Sequence, residues 1–135
     1  MRNSPLSIYI LGRHDLKEFQ QNGIRVSVFV DPVLKMIEGA QKINADRIEL
    51  YTEAFAADFS KGNQNGILPY TEAAKLAHEL GLGINAGHDL SLDNIQFFKQ
   101  NIPYLLEVSI GHALISESIY LGLENVVNMY LNKLK

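Results

Sequence analysis

The sequence predicts an α/β protein made of four successive β-α units, and two observations predict it. First, RVSVFV (25–30), RIELYT (47–52), LGINA (82–86) and LEVSI (106–110) read as short strands, each followed by a stretch that reads as a helix or loop-and-helix. Strand–helix alternation gives parallel strands joined by right-handed crossovers. Second, the strands are two-faced. Val26, Val28, Val30, Ile48, Leu50, Leu82, Ile84, Val108 and Ile110 share one face, while Ser27, Glu49, Asn85 and Ser109 occupy the other. A sheet covered by helices on both sides is apolar on both faces. A polar residue on every strand therefore favours part of a (β/α)8 barrel over a small doubly wound sheet. The difficulty for a barrel is length: the chain has 135 residues, about half of the roughly 250 that a whole barrel needs.

Each element has its own signal. After the first strand, Asp31-Pro32 is a helix opener, and Val33, Met36, Ile37 and Ala40 fall on one helical face. The second strand leads towards a polar, glycine-containing loop, FSKGNQNGILP (59–69). From Pro69 a helix carries Ala73, Leu76, Ala77 and Leu80 on one side and stops at Gly81. After the third strand, Ser91 caps a helix through Ile95 and Phe98. Residues 113–134 read as helical to the end, with Leu123, Val126, Val127, Tyr130 and Leu134 on the buried face.

Composition narrows the function. Hydrophobic residues make up 47% of the chain, enough for a real core. Net charge is −3 with no basic face, which argues against nucleic acid as a partner. The chain has no cysteine, so disulfides and thiolate metal sites are excluded. No apolar run approaches the roughly 20 residues of a membrane span, and the apolar core of MRNSPLSIYILG is short for a signal peptide. The expectation is a soluble, cytoplasmic protein.

Two strands end in the same pair: GINAGHDL (83–90) in Gly87-His88 and VSIGHAL (108–114) in Gly111-His112. Ligands of parallel α/β proteins sit at the C-terminal ends of strands, and in barrels phosphate commonly binds after the last two. Glycine lets backbone N–H groups approach an anion, and a helix starting near Ala113 adds its positive end. The two turns thus describe a phosphate cradle with an acid/base group. His88 reads equally as a turn cap, His112 as a structural hydrogen-bond partner at a helix start, and Asp89 as a turn or capping residue. Glu49, mid-strand and pointing opposite to Ile48 and Leu50, is costly there unless paired or used. His78, beside an apolar stripe, reads as solvated. His88, Asp89 and His112 have no recognised metal-ligand spacing.

RVSVFVDP, DRIELYTEAFA, LGLGINAGHDLSLDN and EVSIGHALI…GLENVV, in this order and at these separations, closely resemble the C-terminal half of the pyridoxine 5′-phosphate synthase family. The resemblance runs from Gly23 to the C-terminus, which divides the chain into an unmatched segment 1–22 and a half-barrel 23–135. It implies strands five to eight of a (β/α)8 barrel, and condensation of 1-deoxy-D-xylulose 5-phosphate with 3-amino-2-oxopropyl phosphate into pyridoxine 5′-phosphate, phosphate and water. It implies no metal or organic cofactor. By motif, His88 resembles the family's general acid and Glu49 the glutamate that stabilises transition-state charge. Gly111 and His112 resemble the pair that holds the phosphate of the amino-ketone. Asp89 occupies a position that also contacts this phosphate, where many members have glycine. Tyr51 stands where several relatives have histidine. The Asn, Asp-His, basic His, basic Glu and arginines of the family's first four strands have no match. Two hypotheses follow: a chain that contributes to pyridoxine phosphate synthesis as a fragment or by pairing with another half, and a phosphate-binding remnant without turnover. The open edge strands of a half-barrel predict self-association into a homo-oligomer, and the expected ligands are small phosphorylated substrates.

Overall fold

The computed structural model describes residues 16–135. A helical segment, α1 (16–21), precedes four β/α units. They are β1 (Ser27–Val30) with α2 (Leu34–Lys42), β2 (Arg47–Tyr51) with α3 (Glu53–Ser60) and α4 (Leu68–Glu79), β3 (Gly83–His88) with α5 (Ile95–Asn101), and β4 (Leu105–Ile110) with α6 (His112–Leu121) and α7 (Leu123–Lys133). The apolar stretch MRNSPLSIYILG, judged short for a signal peptide, and most of the unmatched segment 1–22 lie outside the described residues. Leu16 of α1 is nonetheless part of the core.

The sheet has the order β1-β2-β3-β4, and every pair is parallel. A doubly wound sheet reverses direction at a switch point. Here each strand lies beside its sequence neighbour, the progression of a barrel, and four units are half of the eight that close one. Strand register explains the two faces. Val30, Leu50 and Ala86 are paired across the sheet, as are Val28, Ile48 and Ile84, and all but Val28 are buried. Ile48, Leu50, Ile84 and Ala86 are at most 1% exposed under the helices. Each large aliphatic side chain buried in this way contributes roughly 1.5–3 kcal/mol.

The opposite face carries the row Phe29, Glu49, Asn85 and Glu107. Near the strand starts it holds a polar network. Arg47 Nη1 bridges to Glu107 Oε1 at 2.8 Å and donates to Asn85 Oδ1 at 3.0 Å, and Arg25 reaches Glu107 Oε2 at 3.1 Å. Arg25 lies beside the first strand and Glu107 on the last, so this network spans the sheet from edge to edge.

The structure departs from the sequence expectations in three places. Residues 53–60 form α3, and Gln64–Ile67 form a 3-10 turn, where a loop was expected from residue 59. Phe55 and Phe59, one helical turn apart, supply the apolar face of α3. Phe55 is buried among Phe59, Tyr70, Phe97 and Phe98, with ring centroids 5.0–6.3 Å away. The expected single C-terminal helix is two helices, because Gly122 has φ +82°, outside helical geometry. As a result Val126 and Tyr130 are buried while Leu123 and Val127 are exposed. The helix after β1 begins at Leu34, beyond Asp31-Pro32, and Val33 is exposed.

α6 buries none of its residues. Its Glu117 carboxylate uses both oxygens instead: Oε1 accepts from the Leu92 N–H at 3.2 Å, and Oε2 from the Tyr130 hydroxyl at 2.7 Å. Burial and this hydrogen bond hold the Tyr130 phenol well above its usual pKa. Among the described residues, no helix is long and apolar enough to cross a membrane.

Candidate functional site

The C-terminal ends of β2, β3 and β4 frame a cavity of about 560 Å³ lined by Glu49, His88, Ser109, Gly111, His112 and Ser116 among others. Four of the sequence candidates, Glu49, His88, Gly111 and His112, are therefore brought together. Asp89 is not part of the lining. Its carboxylate turns back onto the His88 ring, with Oδ2 3.2 Å from Nδ1.

Glu49 points to the open face from the middle of β2. Among the described residues no hydrogen bond occupies its carboxylate. Gly87 explains how it fits. A Cβ there would lie 3.0 Å from Glu49 Oε1 and closer still to the backbone carbonyl of Ser109. Glycine is required at Gly87 because the carboxylate and the neighbouring strand already fill that space. At Gly111 the reason differs: a Cβ would meet nothing within 4 Å. The backbone of the second Gly-His turn is open where that of the first is closed over.

His88 departs from strand parity. Ile84 and Ala86 face the helices, and an undistorted strand would send His88 the same way. Its φ is +90°, and the ring lies on the open side, 5.9 Å from the Tyr51 ring and 6.0 Å from that of His112, edge-on to both. The Nδ1 contact with Asp89 favours the tautomer with its proton on Nδ1, which leaves Nε2 as the nitrogen for proton exchange with a ligand. His112 is the first residue of α6, after the N-cap Gly111, so it stands where unpaired N–H groups and the positive helix end coincide.

Two further residues belong to this end of the sheet. Tyr51 donates to Glu53 Oε2 at 2.7 Å, and this hydrogen bond, more than partial burial, pushes its pKa up to about 12. Thr52 is completely buried, and its hydroxyl donates to the Gly87 carbonyl at 2.6 Å. Spacing singled out neither. Thr52 falls between a strand and a helix, where periodicity carries no information on what a side chain touches.

Chemically, the cavity combines an imidazole oriented by a carboxylate, a second carboxylate facing it, and a helix start with accessible backbone donors. Such a set can donate a proton, stabilise positive charge and hold an anion. Among the described residues no group of three or more His, Asp or Glu is placed to hold a metal ion.

The family model described as "pyridoxal phosphate biosynthesis protein PdxJ" matches residues 13–135. Curated relatives named pyridoxine 5′-phosphate synthase include those of Flavobacterium johnsoniae, 78% identical, Christiangramia forsetii, 69%, and Cytophaga hutchinsonii, 58%. Each alignment runs over 120 residues, 89% of this chain, and covers 50–51% of the relative. The chain spans about half the length of the curated relatives it matches.

Proposed function

The chain belongs to the family of the pyridoxal phosphate biosynthesis protein PdxJ, and from that premise we propose that it supplies the phosphate-holding and acid end of a pyridoxine 5′-phosphate synthase site. The reaction is condensation of 1-deoxy-D-xylulose 5-phosphate with 3-amino-2-oxopropyl phosphate, giving pyridoxine 5′-phosphate, phosphate and water. The four units correspond to strands five to eight of the barrel. The observation that carries this reading is the single cavity lined by Glu49, His88, Gly111 and His112.

In this reading His88 protonates a leaving oxygen through Nε2 while Asp89 holds Nδ1. Glu49 stabilises positive charge as it develops in the ring-closing steps. The backbone at Gly111 and the start of α6 bind the phosphate of the amino-ketone, with the His112 ring beside it. Asp89 contributes its backbone to that end while its carboxylate stays on His88. In this reading no metal or organic cofactor enters the scheme, the ligands are small phosphorylated substrates, and the activity is cytoplasmic.

The residues assigned here supply the acid and the anion site, and the family's bases, which the resemblance places on its first four strands, are not among them. The edges of β1 and β4, unpaired among the described residues, with Ile115, Ile119, Tyr120 and Leu131 exposed on α6 and α7, support association of the chain into a homo-oligomer. A second reading, a phosphate-binding module without turnover, rests on the open backbone at Gly111 and the start of α6, an anion site with no base assigned beside it. The test is incubation of the chain with both substrates and detection of pyridoxine 5′-phosphate by mass spectrometry, beside a full-length synthase. Product that disappears in His88→Ala supports the synthase reading. No product beside an active control leaves the phosphate-binding reading.

A further inference from the structure

We propose that Thr52 is the positioning residue for His88: its hydroxyl clamps the peptide groups on either side of the histidine and so fixes where the imidazole points. The functional importance of the clamp rests on reading His88 as the acid, but its geometry stands apart from that reading.

Thr52 is the N-cap residue of α3, and its carbonyl accepts from the Ala56 N–H at 3.0 Å. A threonine at such a place ordinarily turns its hydroxyl onto the N–H of the second or third helical residue. Thr52 makes no such bond. Its hydroxyl instead donates to the carbonyl of Gly87 at 2.6 Å and accepts from the N–H of Asp89 at 3.2 Å. One fully buried hydroxyl on β2–α3 therefore grips the residues immediately before and after His88, using both its donor and an acceptor position.

The residue between those two bonds needs such a grip. A non-glycine residue at φ +90° costs on the order of 1–3 kcal/mol and persists only where its surroundings over-determine it. Released, the chain would relax towards ordinary strand geometry. The imidazole would then swing towards the helix-covered side with Ile84 and Ala86, away from Tyr51, His112 and the cavity. Asn94 adds a second hold, donating to the Asp89 carbonyl at 3.3 Å. Among the described residues, Thr52 is the one whose side chain hydrogen-bonds on both sides of His88.

Thr52→Val keeps the branched shape and removes the hydroxyl, and Thr52→Ser keeps the hydroxyl. In NMR spectra of the 135-residue chain, the Cα and Cβ shifts of His88 report its positive φ, and its ring nitrogens report the Asp89 contact. The expected result is that Thr52→Val loses the positive-φ signature and moves the His88 ring nitrogens, while His112 signals hold and Thr52→Ser restores the native pattern. A residue serving stability alone would lower the melting temperature and leave the His88 signals in place, and that result overturns the proposal. Should Thr52→Val not fold, hydrogen exchange in the native chain decides. The Asp89 amide should exchange about a hundredfold or more slowly than a free amide, and exchange at the free rate overturns the clamp. These signals do not depend on turnover. An activity indifferent to His88→Ala would remove His88 as the acid and leave the clamp standing, and unchanged spectra would do the reverse.

Discussion

Replacing Gly87 by alanine tests the packing at the centre of the site. The new Cβ would meet the Ser109 carbonyl at a distance no real Cβ tolerates, with Glu49 Oε1 and Ser109 Cβ each at 3.0 Å. The carboxylate can swing aside, but the carbonyl is backbone. Because Gly87 and Ser109 are register partners, relief requires β3 and β4 to part locally. Forcing a methyl into a filled space costs about 1–3 kcal/mol, and a weakened ladder bond adds about 1 kcal/mol. The lower unfolded-state entropy of alanine returns about 0.4–1 kcal/mol. The net loss is about 2 kcal/mol, and at about 3–5 °C per kcal/mol for a chain of this size the melting temperature falls by about 6–10 °C. Calorimetry or circular dichroism reads this directly. Gly111→Ala is the control, since its Cβ meets nothing, and it should cost less than about 1 kcal/mol. A Gly87→Ala protein that melts within about a degree of the native chain would refute the close approach of β3, β4 and Glu49.

Asp46 accepts from the Val26 N–H at 2.7 Å, and this bond, then Gln20 and Arg25, holds its carboxyl below the usual range against a smaller opposing effect of burial. Its folded pKa lies below its unfolded one, so its stabilisation is complete above the unfolded value of about 3.9 and is lost as pH falls through the folded value. Asp46→Ala should therefore melt lower at pH 7, by about 1 kcal/mol, and the gap should close below about pH 4. A gap independent of pH in urea titrations would contradict that assignment. For the open edges, light scattering at micromolar concentration should find the chain associated, and a clean monomer with a cooperative melt would count against the half-barrel as a self-associating unit.

The four strands were legible because aliphatic residues recur at every second position, with Ser27, Glu49, Asn85 and Ser109 among the residues between them. The contrast between faces was legible for the same reason. The α3 helix was not, because its apolar face consists of little more than Phe55 and Phe59 among alanines and polar residues, a weak periodic signal before a glycine-containing loop. The break at Gly122 was hidden because apolar residues continue on both sides of it, so Leu123 and Val127 were assigned to a buried face that belongs to α7 only at Val126 and Tyr130. At the site, the two Gly-His turns stood out as a repeat, yet their glycines have different causes, one steric and one not. Thr52 was invisible because its partners lie 35 and 37 positions away in the chain. Where His88 points is equally beyond a period-two pattern, since a single positive φ reverses it.

Glu117 has a consequence for the two histidine turns taken together. α6 begins at His112 and buries no residue completely, with Leu114 packed partly against the core. The loop that follows His88 contains Leu92, and one Glu117 oxygen holds its N–H while the other holds Tyr130 on α7. The pairing of His88 with Ile110 fixes the two turns at the sheet, and the Glu117 carboxylate adds a second tie beyond it, joining the loop after the first histidine to the helices after the second.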